Sequence, residues 1–339
     1  MAAFLLTLKN IVNGFVAAAM LIPILVTMGN SGNPDTPVET YPESDNPYIS
    51  EYLDPNISAH RSGAGLAPQN TLMAFENIIE NQDTISVDTL EFDVQITADG
   101  ELILLHDLTY DGTSNAVEAF GKKNVYASSI TLEEAQVLNM GENFKGNGDY
   151  PYRGLRGDGI PYNLRVVTCN TVIDYIEANR GDKEYNYVIE VKSIGSNGKK
   201  AVDRLYEIIT KRNLENKVIW STFAPDVSGY MKKNYPEISR TADAIEAVQF
   251  YFYFRMDWKL SDVSPSYVAL QIPYGSSAFD NLINLGTREM INYAHMNNIA
   301  LQYWTINSEE EVMTLTQNGA DCIMTDYPQM ANEAVEKCS

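Results

Sequence analysis

The sequence predicts an α/β protein built as a (β/α)8 TIM barrel with a hairpin and a long insertion after the second strand. Three observations carry that expectation. Short β-rich runs alternate with helically patterned segments from Ile57 onward, eight such βα units can be counted, and acidic residues fall at strand C-terminal ends, where barrel enzymes place their active sites.

The expected strands are Ile57–His60, Thr89–Val94, Tyr187–Lys192, Val218–Thr222, Ser239–Asp243, Tyr267–Ile272, Ala300–Ile306 and Asp321–Thr325. Helices are expected at Thr71–Asn81, Lys200–Arg212, Thr287–Asn297 and Ser308–Gln317, the last opened by Ser308 and Glu311 at capping-box spacing. Leu102–Asp107 also reads as a strand, but only the turn-forming stretch Thr97–Gly100 separates it from the second strand. Parallel neighbours need a crossover of about a dozen residues or more, so this pair is expected to be an antiparallel hairpin that returns His106 towards the strand ends. A long excursion, Leu108 to about Glu184, then precedes the third barrel strand. Helices are expected within it at Thr131–Asn139 and Asn170–Asn179, and its Gly-rich part, Gly141–Pro161, reads as an irregular loop or lid.

Ahead of the barrel, Ile11–Met28 is an apolar run without charge, preceded by Lys9 and followed by Asp35, Glu39, Glu43 and Asp45. Its length is near the ~17–25 residues that span a bilayer. Residues 1–29 are therefore expected as a signal peptide or an N-terminal transmembrane anchor, 30–56 as a flexible linker rich in Pro, Asn and Ser, and 57–339 as the barrel domain. The charge asymmetry places the barrel outside the cytoplasm, membrane-anchored through that helix or secreted.

Of 339 residues, 24 are Lys or Arg and 45 are Asp or Glu, a net charge of −21. That excess excludes a nucleic-acid binder, which needs a broad basic surface to displace counterions. Any phosphate must be held locally. Cys169, Cys322 and Cys338 are odd in number and far apart, offering neither a disulfide framework nor a zinc-ligand spacing.

Alternate side chains of a strand share a face, so Glu91 and Asp93 lie together, as do Glu190 and Lys192. A single such pair would read as a structural salt bridge. Three acids at strand ends suit a hard divalent cation with oxygen ligands, Ca2+ or Mg2+, better than zinc. Three carboxylates, one divalent cation, Arg61 and Lys192 sum to +1, and a phosphodiester monoanion would bring the site to zero. His60 and His106, near the same barrel mouth, invite general acid-base chemistry on either side of a scissile bond. His295 lacks such company and reads as peripheral. Phe250–Phe254, with Trp258 nearby, reads as core packing, with an apolar lip for lipid as the alternative.

His60-Arg61, Pro68-Gln69-Asn70-Thr71, Glu91-Phe92-Asp93-Val94, Thr97-Ala98-Asp99-Gly100, His106-Asp107, Glu190-Val191-Lys192, Trp304-Thr305-Ile306-Asn307 and Thr325-Asp326-Tyr327-Pro328 together resemble the ordered motifs of the glycerophosphodiester phosphodiesterase family. The resemblance implies a (β/α)8 barrel, one divalent cation held by Glu91, Asp93 and Glu190, and an acid-base pair in His60 and His106. It also implies phosphate contacts from Arg61 and Lys192, with Trp304 lining the glycerol or headgroup side. The implied partner is a small-molecule glycerophosphodiester, hydrolysed to glycerol 3-phosphate and an alcohol through a cyclic phosphate. Several departures bear on substrate choice: Asp111-Gly112-Thr113-Ser114 stands where the family commonly has Asp-Arg-Thr-Thr, and the usual Pro-Thr-Leu before the second helix is absent. Ser62 stands where the family usually has Gly after His-Arg, and Gln69 where it has Glu before Asn-Thr. Two other readings fit the same residues: a phospholipase-D-like relative releasing a cyclic phosphate from lysophospholipids or sphingolipids, and a non-catalytic surface module binding glycerophosphate polymers.

Overall fold

The computed structural model describes residues 32–33, 35–39, 44–146, 148–275 and 283–338. The expected N-terminal signal or anchor, residues 1–29, lies outside them. The chain divides into two compact units, one comprising Asn56–Ser239 with Met324–Glu333, the other Met1–Pro55, Arg240–Ile323 and Ala334–Ser339.

The first unit carries β1 (Asn56–Ala59), β2 (Thr89–Ile96), β3 (Leu102–Leu104), β4 (Asn186–Val191) and β5 (Val218–Ser221). The order is β5-β4-β2-β1, all parallel, with β3 antiparallel on β2. The hairpin expected from loop length is therefore present, with Val94 opposite Leu104 and Ile96 opposite Leu102. All eight residues of β2 are buried, as befits a strand covered on both faces. One cover is the helix Leu72–Glu80, whose N-cap Thr71 accepts from the Ala74 amide and whose Phe75 meets Phe92 edge-on at 5.5 Å. Another helix, Gly195–Thr210, starts five residues before the expected one. Gly198 lets it sit close: a Cβ there would lie 2.4 Å from the Ser193 carbonyl oxygen and 2.5 Å from Val227.

The excursion after the hairpin is a folded layer with its own core. Leu105, Tyr110, Val125, Ile130, Leu138 and Val166 are buried together in it. The helix expected at Thr131–Asn139 shortens to Leu132–Ala135, opened by a Thr131/Glu134 capping box. The stretch expected as an irregular lid is fastened by Arg156, which grips Glu142 at 2.8 Å and Glu118. Glu142 in turn accepts from Asn139 and the Gly154 amide.

In the second unit, β6 (Ala269–Pro273) pairs with β7 (Ala300–Trp304), and β7 pairs with the first residues of β8 (Cys322–Thr325), all parallel. The strand expected at Ser239–Asp243 is reduced to one bridge, Thr241 to Ala269. Local side-chain bonds claim its residues: the Arg240 guanidinium pairs with both Glu246 oxygens, and Asp243 caps the helix Ala244–Arg255. That helix takes up the aromatic run. Phe250 and Phe254 stack against Tyr293 at 5.4 and 5.6 Å, which supports the packing reading over an apolar lip.

The Pro-, Asn- and Ser-rich segment expected as a flexible linker is pinned in its described residues. Asn46 Nδ2 donates to the carbonyls of Val268 and Asn298, Thr36 Oγ1 to Glu289, and the Ser50 amide to Asp321. Composition signals loop, but its side chains find fixed backbone partners. His295, expected to stand apart from the acid-base chemistry, belongs to the second unit. It is buried, and its Nε2 lies 2.9 Å from Asp321, which also accepts from the amides of Leu301 and Ser50. No helix among the described residues is long and apolar enough to cross a membrane.

Asp321 thus ties a strand, a helix and the N-terminal segment together from a fully buried position. Asp321→Ala would strand two amides and an imidazole, and the expected cost is about 3 kcal/mol or more. Urea unfolding followed by circular dichroism checks this; a midpoint within error of the parent would contradict it.

Candidate active site

The site grows from the C-terminal ends of β1, β2 and β4. Parallel register sets Asp93 directly opposite Glu190, and Glu91 sits two residues back on the same face of β2. The three carboxylates offer oxygens within 4.8 Å of one another. This is the acid cluster expected from strand alternation.

β1 ends in a tight turn. Arg61 and Ser62 adopt left-handed conformations, φ 49° and 60°. Glycine would adopt the second without cost, so Ser62 accepts a strain of about 1 kcal/mol, and among the described residues its buried hydroxyl finds no partner. The turn presents the Arg61 amide to Glu91 Oε2 at 2.6 Å and brings Arg61 Nε within 3.6 Å of Asp93. Gln69 Oε1 accepts from Arg61 Nη1. Asn70 brackets Asp93 with two bonds, its Nδ2 donating to Oδ2 at 2.8 Å and its Oδ1 accepting from the amide at 3.1 Å. Lys192, at the end of β4, reaches Glu190 at 2.8 Å and Asp93 at 3.2 Å.

Both expected histidines are present here, each backed by a carboxylate. His60 Nδ1 lies 2.7 Å from Asp326, and His106 Nδ1, on the returning arm of the hairpin, 2.8 Å from Asp107. Such a carboxylate fixes ring orientation and leaves Nε2 to handle a proton. Asp107 and Asp326 lie within motifs of the sequence, but residue type and spacing assign them no role. For Asp107 the adjacency to His106 is a signal, whereas Asp326 stands 266 residues from its partner. Trp304 ends β7 in the second unit, partly exposed, opposite Pro273.

The electrostatics are those of an acid cluster short of positive charge. Burial pushes Glu91 well above the ordinary carboxylate range, and the neighbouring Asp93 pushes it further. Burial also raises Glu190, to about 7, against the pull of Lys192. Asp93 is driven up by burial too, but Lys192, His106 and Arg61 outweigh that and hold it below its usual value. His106 is lowered, by burial first, with Lys192 and Arg61 assisting against Asp93. Burial and mutual repulsion raise Glu91 and Glu190, and the three carboxylates offer oxygen donors alone, a set whose chemistry fits a hard divalent ion.

A barrel-type sheet end carrying an oxygen-donor cluster, two cations and two carboxylate-backed histidines defines a phosphodiester-cleaving class of enzyme. The chain belongs to the glycerophosphoryl diester phosphodiesterase family, whose model matches residues 60–330. It is 28% identical over 283 residues to the glycerophosphodiester phosphodiesterase of Caldanaerobacter subterraneus subsp. tengcongensis, covering 83% of this chain and 98% of that one. The enzyme of the same name from Bacillus altitudinis is 24% identical, over 81% of this chain and 96% of the other. Among solved structures, the glycerophosphoryl diester phosphodiesterase domain of a Mycobacterium tuberculosis protein matches with TM-score 0.62 at 16% identity, over 83% and 98% of the two chains. An Oleispira antarctica phosphodiesterase in complex with the product sn-glycerol-3-phosphate matches with TM-score 0.58 at 19% identity, over 83% and 97%. These likenesses establish the TIM-barrel fold class.

The raised acids have a consequence for stability. Glu190 folds with its carboxyl near 7 instead of the ordinary 4.5, and Glu91 also lies above 4.5. The Glu190 contribution is therefore fully present below about pH 4.5 and is lost as pH rises through about 7, and the raised Glu91 acts in the same direction. In chelator-stripped protein the Glu190→Gln variant should lose less Tm than the parent between pH 5 and 7.5. Differential scanning calorimetry at both pH values checks this, and identical slopes would contradict it.

Proposed function

We propose that the chain hydrolyses glycerophosphodiesters to glycerol 3-phosphate and an alcohol in a metal-dependent reaction, with His60 and His106 as the acid-base pair. The single observation that carries the reading is the pair of carboxylate-backed imidazoles at one strand end with an acid cluster whose members are driven out of their normal ionisation. Glu91, Asp93 and Glu190 would hold one Ca2+ or Mg2+, which when bound supplies Lewis-acid neutralisation of a phosphoryl oxygen.

The chain's own groups do the rest. Arg61 and Lys192 take the remaining phosphoryl charge, Arg61 steered by Gln69 and Lys192 by its two carboxylates. His60 removes the proton of the glycerol 2-hydroxyl as that oxygen attacks phosphorus, and His106 protonates the departing alcohol. Water then opens the five-membered cyclic phosphate with the two roles exchanged. The phosphodiester anion offsets Arg61 and Lys192, two of the causes that hold His106 neutral, and so favours the imidazolium the first step needs. A nucleophile carried on the substrate is worth an effective molarity on the order of 10^5 to 10^8 M, so no protein nucleophile is required. If residues 1–29 are retained as an anchor, the site acts outside the cytoplasm at a membrane surface; if they are cleaved, it acts in a secreted enzyme.

His60→Ala and His106→Ala should each lower glycerol 3-phosphate release by about 10^2-fold or more with the far-UV spectrum unchanged, and EDTA should stop the parent reversibly. Near-parental rates in either variant would remove that histidine from the reaction, and indifference to EDTA would remove the cation. A diester whose glycerol lacks the 2-hydroxyl should resist cleavage, as followed by phosphorus NMR. Its turnover would mean that water attacks directly, and a cyclic phosphate that persisted with glycerophosphodiesters would favour the cyclising reading.

A further inference from the structure

The helix Ala244–Arg255 carries apolar side chains all the way round, and packing among the described residues accounts for only one side of it. At about 100° per residue, Phe250, Tyr251 and Phe254 fall on one side. The first two are buried, and Phe250 and Phe254 stack on Tyr293. Ile245, Phe252 and Met256 recur at seven- and four-residue steps and so line the opposite side. There Ile245 is 57% exposed and Met256, the C-cap, 41%. Trp258, 46% exposed, extends the same stripe, its ring meeting Phe252 edge-on at 5.3 Å and Tyr253 at 5.4 Å. Its backbone is fixed, since its amide donates to the Tyr253 carbonyl and its carbonyl accepts from the Tyr293 hydroxyl at 2.7 Å. These side chains form one contiguous apolar surface, unlike the singly scattered residues of an ordinary exterior.

The route of the N-terminal chain points to the occupant. The Asn33 amide donates to Glu289 at 2.7 Å, and Thr36 bonds the same oxygen, in the first turn of the helix Arg288–Met296. Tyr293, on which the aromatic helix packs, lies one turn further, about 6 Å along the axis. Five residue steps separate Asn33 from Met28, the end of the apolar run Ile11–Met28, a reach of at most about 18 Å. A bilayer that holds that run therefore lies beside the exposed stripe. A second copy of the chain fits less well. Four side chains about half exposed, even at the ~150–250 Å2 of a large aromatic, fall short of the ~800 Å2 that each partner buries in a stable dimer. Trp and Tyr beside Ile, Phe and Met are side chains that settle at headgroup depth. The charges of the segment, Arg255 and Lys259 against Asp257 and Asp262, cancel, so attachment needs no anionic lipid.

We infer that the face formed by Ile245, Phe252, Met256 and Trp258 rests in the interfacial layer of a lipid bilayer, beside the point where the N-terminal segment leaves the second unit. The inference rests on the anchor reading of residues 1–29 for the direction of the bilayer, and not on the proposed hydrolysis.

The test uses the full chain with phosphatidylcholine vesicles whose acyl chains are brominated near the ester end, and reads Trp258 emission as the difference between the parent and Trp258→Phe. Brominated lipid should quench that emission relative to plain lipid, at low and at high salt alike. In the double variant Ile245→Glu, Met256→Glu the quenching should be lost, while the far-UV spectrum and glycerol 3-phosphate release from a soluble diester stay as in the parent. Emission that is equal in brominated and plain vesicles would overturn the assignment, even where the chain sediments with lipid, since the N-terminal run would then hold it alone. Quenching that survives in the double variant would also overturn it. So would a parent that sediments without lipid as a dimer and that Met256→Glu separates, which would seat a second copy on this face. A chain whose Trp258 is quenched but which cleaves no soluble diester with cation present would overturn the hydrolysis reading and leave this face assigned.

Discussion

Three carboxylates buried at the ends of two hydrogen-bonded strands repel one another and have lost their water, and the neighbouring structure is arranged around that cost. Glu91, Asp93 and Glu190 lie within 4.8 Å because β2 and β4 are in parallel register, which the hydrophobic packing of β2 enforces. Arg61 and Lys192 lie against them, Asn70 brackets Asp93, and the Arg61 amide is turned towards Glu91. The left-handed turn at Arg61-Ser62 makes that last bond, and its backbone strain is the local cost of the arrangement. Even so the cations fall short, and two acids are driven towards their protonated forms.

That shortfall links stability to function. Burial and repulsion raise Glu91 and Glu190, so a divalent ion bound there would displace protons, and ligand ionisation, affinity and fold stability would move together. The histidines stand on separate supports, His60 on Asp326 and His106 on Asp107, so their orientation does not depend on the acids being filled. Positioning of the two imidazoles and compensation of the acid cluster are thus carried by different hydrogen bonds.

Much of this was legible in the sequence because it follows from strand periodicity and loop length. Alternation placed Glu91 with Asp93, and Glu190 with Lys192, on shared faces, and the four-residue turn at Thr97–Gly100 required the antiparallel hairpin that returns His106. What sequence could not supply were contacts between distant segments: Asp326 behind His60, Asp321 behind His295, and the bonds that pin Asn46. The strand expected at Ser239–Asp243 failed for a local reason, since Arg240 and Asp243 spend their side chains on Glu246 and on a helix cap. The Gly-rich excursion reads as loose by composition, yet ordinary apolar packing under Tyr110 and Leu138 and an arginine with two acids hold it as a wall.

The net charge of −21 excludes nucleic acid, but it says nothing of a site whose balance is local. The central claim, that the acid cluster is completed by one divalent cation displacing protons, is tested most directly by titrating chelator-stripped protein with Ca2+ and with Mg2+ at pH 7. Calorimetry in two buffers of different ionisation enthalpy reads binding and proton release together. The account predicts one saturable site per chain for at least one of the ions, with net proton release that Glu190→Gln diminishes. No saturable binding of either ion, or binding without proton release, would contradict it.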